Sequence, residues 1–168
     1  MTLPLSLSGC SGQFDAAKLL VFSPTQARVL AAAAEAVAPT QPGFPTVAEA
    51  KVVERLDEEF WFADASVQED LTAALSLLEW LPVAFGRFSR FSTLDRASRE
   101  QFLLECMESR IEIVRAIGTN LRLLTMFFYF GHASAWPAMG YDGPFQKLPP
   151  VISEQRKHYA DTVAGRAA

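Results

Sequence analysis

The first sustained apolar pattern opens at Ser23-Pro24-Thr25-Gln26. Ser23 and Gln26 stand at capping-box spacing, and Pro24 takes the first helical position, where its missing N–H costs nothing. The alanine-rich stretch from Gln26 to Ala38 has high helix propensity. Its Val29, Leu30, Ala33 and Val37 recur at helical intervals and predict one packed stripe. Residues Pro39 to Pro45 hold three prolines and a glycine, which predicts a loop. Thr46 and Glu49 repeat the capping spacing ahead of a helix carrying Val52, Val53, Leu56 and Phe60 and ending near Ala63. The run Asp57-Glu58-Glu59 within that helix reads as a solvated face; with Glu54 these carboxylates read as structural, because nothing apolar surrounds them in the sequence to raise a pKa.

Ser66 and Glu69 offer a third capping box before Leu71, Ala74, Leu75 and Leu78, a helix that Pro82 stops or kinks. Residues 83–91 then place Phe85, Phe88 and Phe91 at every third position. They can strap the core, or they can face a partner whose acidic groups meet Arg87 and Arg90. A helix begins at Ser92 to Asp95, with Phe102, Leu103, Cys106 and Met107 on its inner stripe. Ser109 to Phe130 predicts the central helix, interrupted by Gly118; its second half, Leu121 to Phe130, is apolar all round and so is expected to be the most buried. No strand-like alternation of useful length occurs. The fold class is therefore all-α, a single domain of about five or six helices. After Gly131 comes an aromatic, Pro/Gly-rich extension, and Ser153 to Val163 predicts a short polar helix that a partner could order. The division expected is a leader remnant or disordered N-terminus over 1–12, a helical domain over 13–146 and a C-terminal tail over 147–168.

Composition narrows the function. Half of the 168 residues are hydrophobic and 13 are Phe, more apolar surface than a solitary domain needs. With 15 basic against 19 acidic side chains and no basic block, a nucleic-acid role is excluded, since phosphate neutralisation needs a cationic excess. The longest apolar run, Leu123 to Phe130, is far shorter than the roughly 20 residues of a membrane span. Two cysteines without a CxxC pair, and His132 and His158 far apart, form neither a disulfide framework nor a zinc site. Leu7-Ser8-Gly9-Cys10 has the form of a lipobox, which makes Cys10 a candidate for lipidation, although the stretch before it lacks a basic n-region. It is either the end of a longer leader or a chance match.

Chemistry is sparse. The chain has no GxGxxG, P-loop, GxSxG or HExxH motif, so no catalytic, cofactor-binding or metal residue is assigned. Cys106, on an inner stripe, reads as a small buried hydrophobe. His132 reads as a cap or packing residue; as a general base it would need Ser134 as nucleophile. The alternative function is an independent helical enzyme or ligand-binding domain with its site near His132, Tyr141 and Asp142. The loop from Trp136 to Phe145, stiffened by prolines and shaped by Gly140 and Gly143, can present its rings as interface anchors. The expected partner-binding residues are Trp136, Met139, Tyr141, Phe145, Phe85 and Phe88.

Taken in order, Phe22-Ser23-Pro24-Thr25-Gln26, a Pro/Gly loop, a Phe-rich middle, Met126-Phe127-Phe128-Tyr129-Phe130, Trp136 and Met139-Gly140-Tyr141-Asp142-Gly143-Pro144 resemble the gluconate 2-dehydrogenase subunit 3 family over roughly residues 22–146. The closing Gly-Tyr-Asp-Gly-Pro run is the most specific part. The resemblance implies a small helical accessory subunit of a bacterial periplasmic or membrane-associated dehydrogenase. Its partner would be a large FAD-dependent subunit of the glucose–methanol–choline type, which holds the flavin and the catalytic residues; electrons often pass on to a cytochrome c subunit. Family members stabilise the large subunit and often carry a twin-arginine export signal. No twin-arginine pair precedes residue 22 here.

Overall fold

The computed structural model describes residues 14–145 and 153–167. The candidate lipobox, with Cys10, lies outside them. Six α-helices and no strand occur among the described residues, so the chain is all-helical as its periodicity predicts. Ser23 caps α1 (Pro24–Val37): its hydroxyl accepts the Gln26 N–H at 3.3 Å, and the Gln26 side chain accepts the Ser23 N–H at 2.9 Å. The middle of α1, from Val29 to Ala34, is buried without a break, because alanine lets other helices approach closely. α3 (Ala65–Ala84), α4 (Arg96–Met107) and α5 (Glu112–Phe130) all pack against it, and α2 (Val52–Trp61) touches it as well.

α1 thus takes the place that the apolar pattern assigned to α5. The second half of α5 buries Leu121, Thr125 and Phe128 but leaves Leu123 61% and Phe127 73% exposed. Nor does Gly118 interrupt α5. It lies where α4 crosses, and a Cβ there would come within 2.9 Å of the Cys106 Cβ and 3.0 Å of the Met107 nitrogen. The missing side chain sets the approach of the two helices.

Two of the three capping boxes form. Thr46 and Glu49 bond reciprocally at 2.7 and 3.1 Å, but they close a turn ahead of α2, which starts only after Lys51 at φ +49°. The third does not: Ser66 lies inside α3, which begins at Ala65. The α2–α3 corner is held instead by the Gln68 amide, which donates to the Ala63 carbonyl at 3.0 Å and the Trp61 carbonyl at 3.4 Å. Pro82 falls in the last turn of α3, which ends two residues later. Asp95 caps α4 by accepting the Ser98 N–H at 3.0 Å, and its bonds to Ser98 hold its carboxyl below the usual range.

The acidic stretch of α2 is not a uniformly solvated face. Asp57 is fully buried, and its carboxylate accepts the backbone N–H groups of Leu20, Val21 and Phe22 at 2.7, 2.9 and 2.9 Å. A fourth bond comes from the Tyr159 hydroxyl at 2.8 Å. Four donors replace the water that a buried carboxylate would otherwise lack. Burial, reinforced by the Asp57 bond, pushes the Tyr159 hydroxyl above its usual titration range. Glu58 pairs with Arg156 at 3.1 Å, desolvation raises the carboxyl pKa of Glu54, and Glu59 is exposed.

Tyr159 belongs to α6 (Glu154–Ala167), the polar helix predicted over Ser153 to Val163. It docks within the chain: His158 and Tyr159 pack on Trp61 at 5.0 and 5.8 Å, and Arg166 donates to the Leu19 carbonyl at 3.1 Å.

A second buried polar knot joins α3, the 85–93 connector, α4 and α1. Glu79 accepts the Ser92 N–H and hydroxyl at 2.9 and 2.8 Å. Arg99 donates to the Ser92 carbonyl at 3.1 Å and to Glu35 at 2.7 Å. No helix among the described residues is long and apolar enough to cross a membrane.

Replacing Asp57 by Ala strands three backbone N–H groups, at about 1–3 kcal/mol each. Asp57→Ala should therefore lose about 3 kcal/mol or more in urea unfolding, whereas Tyr159→Phe should lose about 1 kcal/mol. A D57A variant as stable as the parent would refute the anchoring role.

Candidate functional site

α3 has two apolar faces. Leu75 and Leu78 point into the core, while Val67, Leu71, Ala74 and Leu77 form a second row at helical spacing. α5 repeats this division, with Ile113, Ile117, Asn120 and Leu124 on its second row. The two rows line a groove of about 670 Å³, with Phe60 of α2 at one end. Leu71, Ile117 and Leu121 are buried in it, and Leu77, Ile113 and Leu123 stand exposed along it. Its lining has two polar side chains, Asp70 and Asn120, both exposed. Asp70 makes no ion pair among the described residues. The signal for this groove was the all-round apolarity of Leu121 to Phe130, which reads as burial when no neighbours are known.

A second apolar surface lies at the end of α3. Gly86 turns the chain at φ +83°, and Arg87 doubles back to Glu105 at 2.7 and 2.8 Å while covering the Phe102 ring at 5.0 Å. Arg90 covers the Trp80 ring at 5.3 Å. Between these two anchors Phe88 is fully exposed, and Phe85 is about half exposed with its edge on Phe102. The core-strap reading therefore fits Phe91, which is buried, but not Phe88. Arg87 meets an acid of its own chain, Glu105.

The C-terminal loop divides its predicted anchors. Trp136 turns back on the domain: its indole N–H donates to the Phe130 carbonyl at 3.2 Å, and its ring packs edge-on against Tyr141 at 5.3 Å. Gly143, at φ +104°, lies so close that a Cβ would be 3.3 Å from that ring. Trp136 is thus half-buried support for the loop, whereas Met139, Tyr141 and Phe145 remain exposed.

His132 caps the short turn Ala133–Ala135, as one reading of the sequence has it, accepting the Ser134 N–H at 3.3 Å. The same Nδ1 lies 2.7 Å from the Ser134 hydroxyl. Burial, then the nearby charges of Arg55 and Lys51, lowers the imidazole pKa and favours its neutral form. Neither His132, Tyr141 nor Asp142 lines the larger hollows of about 670, 370 and 300 Å³. Among the described residues, no three His, Cys, Asp or Glu side chains cluster closely enough to hold a metal ion. Compared with family models, characterised proteins and solved structures, the chain matches none.

Cys106 is buried at the α4–α5 crossing, and burial, with Glu105 adding to it, pushes its thiol up to about 11. Because the thiolate is the reactive form, iodoacetamide at pH 8 should leave the Cys106 peptide unmodified in the native chain and label it after denaturation. Rapid native labelling, read by peptide mass spectrometry, would contradict the burial.

Proposed function

We propose that this chain is a non-catalytic accessory subunit that binds and stabilises a larger protein, and that its partner is a large FAD-dependent dehydrogenase of the bacterial periplasm. The observation that carries the reading is the α3–α5 groove, an apolar trough lined by fourteen residues of which twelve are apolar. Water on such a surface is released when a partner covers it, at about 25 cal/mol per Å² of apolar area. The exposed rings of Phe88, Tyr141 and Phe145 supply further apolar surface of the kind that dominates interface energetics. The nature of the partner rests on the resemblance of residues 22–146 to the gluconate 2-dehydrogenase subunit 3 family. On this reading the flavin and the catalytic groups lie in the large subunit, from which electrons often pass to a cytochrome c subunit in that family, and the small chain assists export.

The proposal expects a large FAD-dependent dehydrogenase subunit in a neighbouring reading frame, and co-expression of the two proteins tests it. The two should co-elute from a sizing column at micromolar concentration. The double variant Ile113→Asp/Leu123→Asp should keep the far-UV circular dichroism of the parent, because both side chains are exposed, yet lose the complex. Separate elution of the unmodified proteins would end the proposal.

A further inference from the structure

The groove carries one charge. Among its lining residues Asp70 is the only ionisable side chain, and it has no cationic partner among the described residues. Covering this surface removes water from the Asp70 carboxylate, and an unpaired carboxylate taken out of water is costly. A segment that fills the groove and also brings a cation offsets that cost. A second copy seated face to face brings none, since no Lys or Arg lines the groove; it would place two unpaired carboxylates in one interface.

The walls specify the shape of the occupant. The α3 row runs from Val67 to Leu77 and the α5 row from Ile113 to Leu124, so each wall is about three helical turns, or about 15 Å, long. Phe60 closes the end near Val67 and Leu124. A trough walled by two helices receives ridges repeating at three- and four-residue intervals, which another helix supplies.

We infer that the α3–α5 groove receives an amphipathic helix of the partner protein, whose apolar residues at i, i+3 or i+4, and i+7 fill the trough and whose Arg or Lys pairs with Asp70. Asn120, the other polar side chain of the lining, stands on the opposite wall. Arg suits the site better than Lys, being more weakly hydrated and able to fork onto both carboxylate oxygens. The inference rests on the accessory-subunit reading for the existence of a partner, but it makes a separate claim about the chemistry of that partner.

The probes are three labelled helical peptides of about 14 residues, long enough to span the trough. They share leucines at the stated spacing and carry Arg, Gln or Glu at one flanking position. Fluorescence anisotropy against the full chain should rank them Arg, Gln, Glu, with the Arg peptide about tenfold tighter than the Glu peptide. Asp70→Lys should invert the order, and Ile113→Asp/Leu123→Asp should abolish binding of all three. Equal affinities, an order unmoved by D70K, or no binding of the Arg peptide at millimolar concentration would overturn the inference. So would a self-association of the chain that I113D/L123D removes, since a second copy would then occupy the groove.

The two proposals fail differently. If I113D/L123D breaks the co-expressed complex while D70K leaves it intact, the subunit reading stands and the cationic helix falls. If the flavoprotein does not bind but the peptides rank as stated, the groove chemistry stands and the assigned partner falls.

Discussion

The carboxylate of Asp57 ties together the lead-in to α1, the helix α2 and the C-terminal helix α6. Leu20, Val21 and Phe22 approach it with their N–H groups, and Tyr159 reaches it from the far end of the chain. A buried carboxylate is tolerable only when its oxygens are satisfied, so the three backbone donors and the phenol are held as firmly as the carboxylate holds them. The lead-in to α1 is positioned by that contact, and the capping box at Ser23 follows directly after the last donor. Arg166 on the Leu19 carbonyl and Arg156 on Glu58 extend the same junction along α6.

With its entry set, α1 serves as the axis of the domain. Its alanines permit α3, α4 and α5 to approach closely, and Gly118 does the same service where α4 and α5 cross. Close packing on so slender an axis uses up one face of α3 and one of α5. Both helices carry a second apolar face, which is left uncovered among the described residues. The groove thus follows from the packing: the small central helix needs little apolar surface from its neighbours, and the excess faces outward.

Rigid support surrounds the exposed rings. Phe88 stands between two arginines that are themselves fixed, one to Glu105 and Phe102 and the other over Trp80. Tyr141 leans on Trp136, whose indole is tied to the end of α5. A ring held in place before binding loses less freedom on binding, which suits Tyr141 to an anchoring role. Glu79, Ser92, Arg99 and Glu35 give the connector beneath Phe88 a comparable internal brace.

Local rules were sufficient for much of this chain. The helical class, the Ser23–Gln26 cap, the Pro39–Pro45 break, the burial of Cys106 and the capping role of His132 all follow from nearby residues, because caps, turns and helical periodicity act within a few positions. What lay beyond the sequence were the relations between distant segments. Asp57 looked solvated because its four donors stand 35 to 102 positions away. The exposure of Leu123 and Phe127 was hidden for the converse reason: an apolar residue reads as core until the packing shows that the core is already full. Periodicity says which residues share a face; only the tertiary structure decides which faces are covered, since that depends on the size and direction of helices far away in the chain.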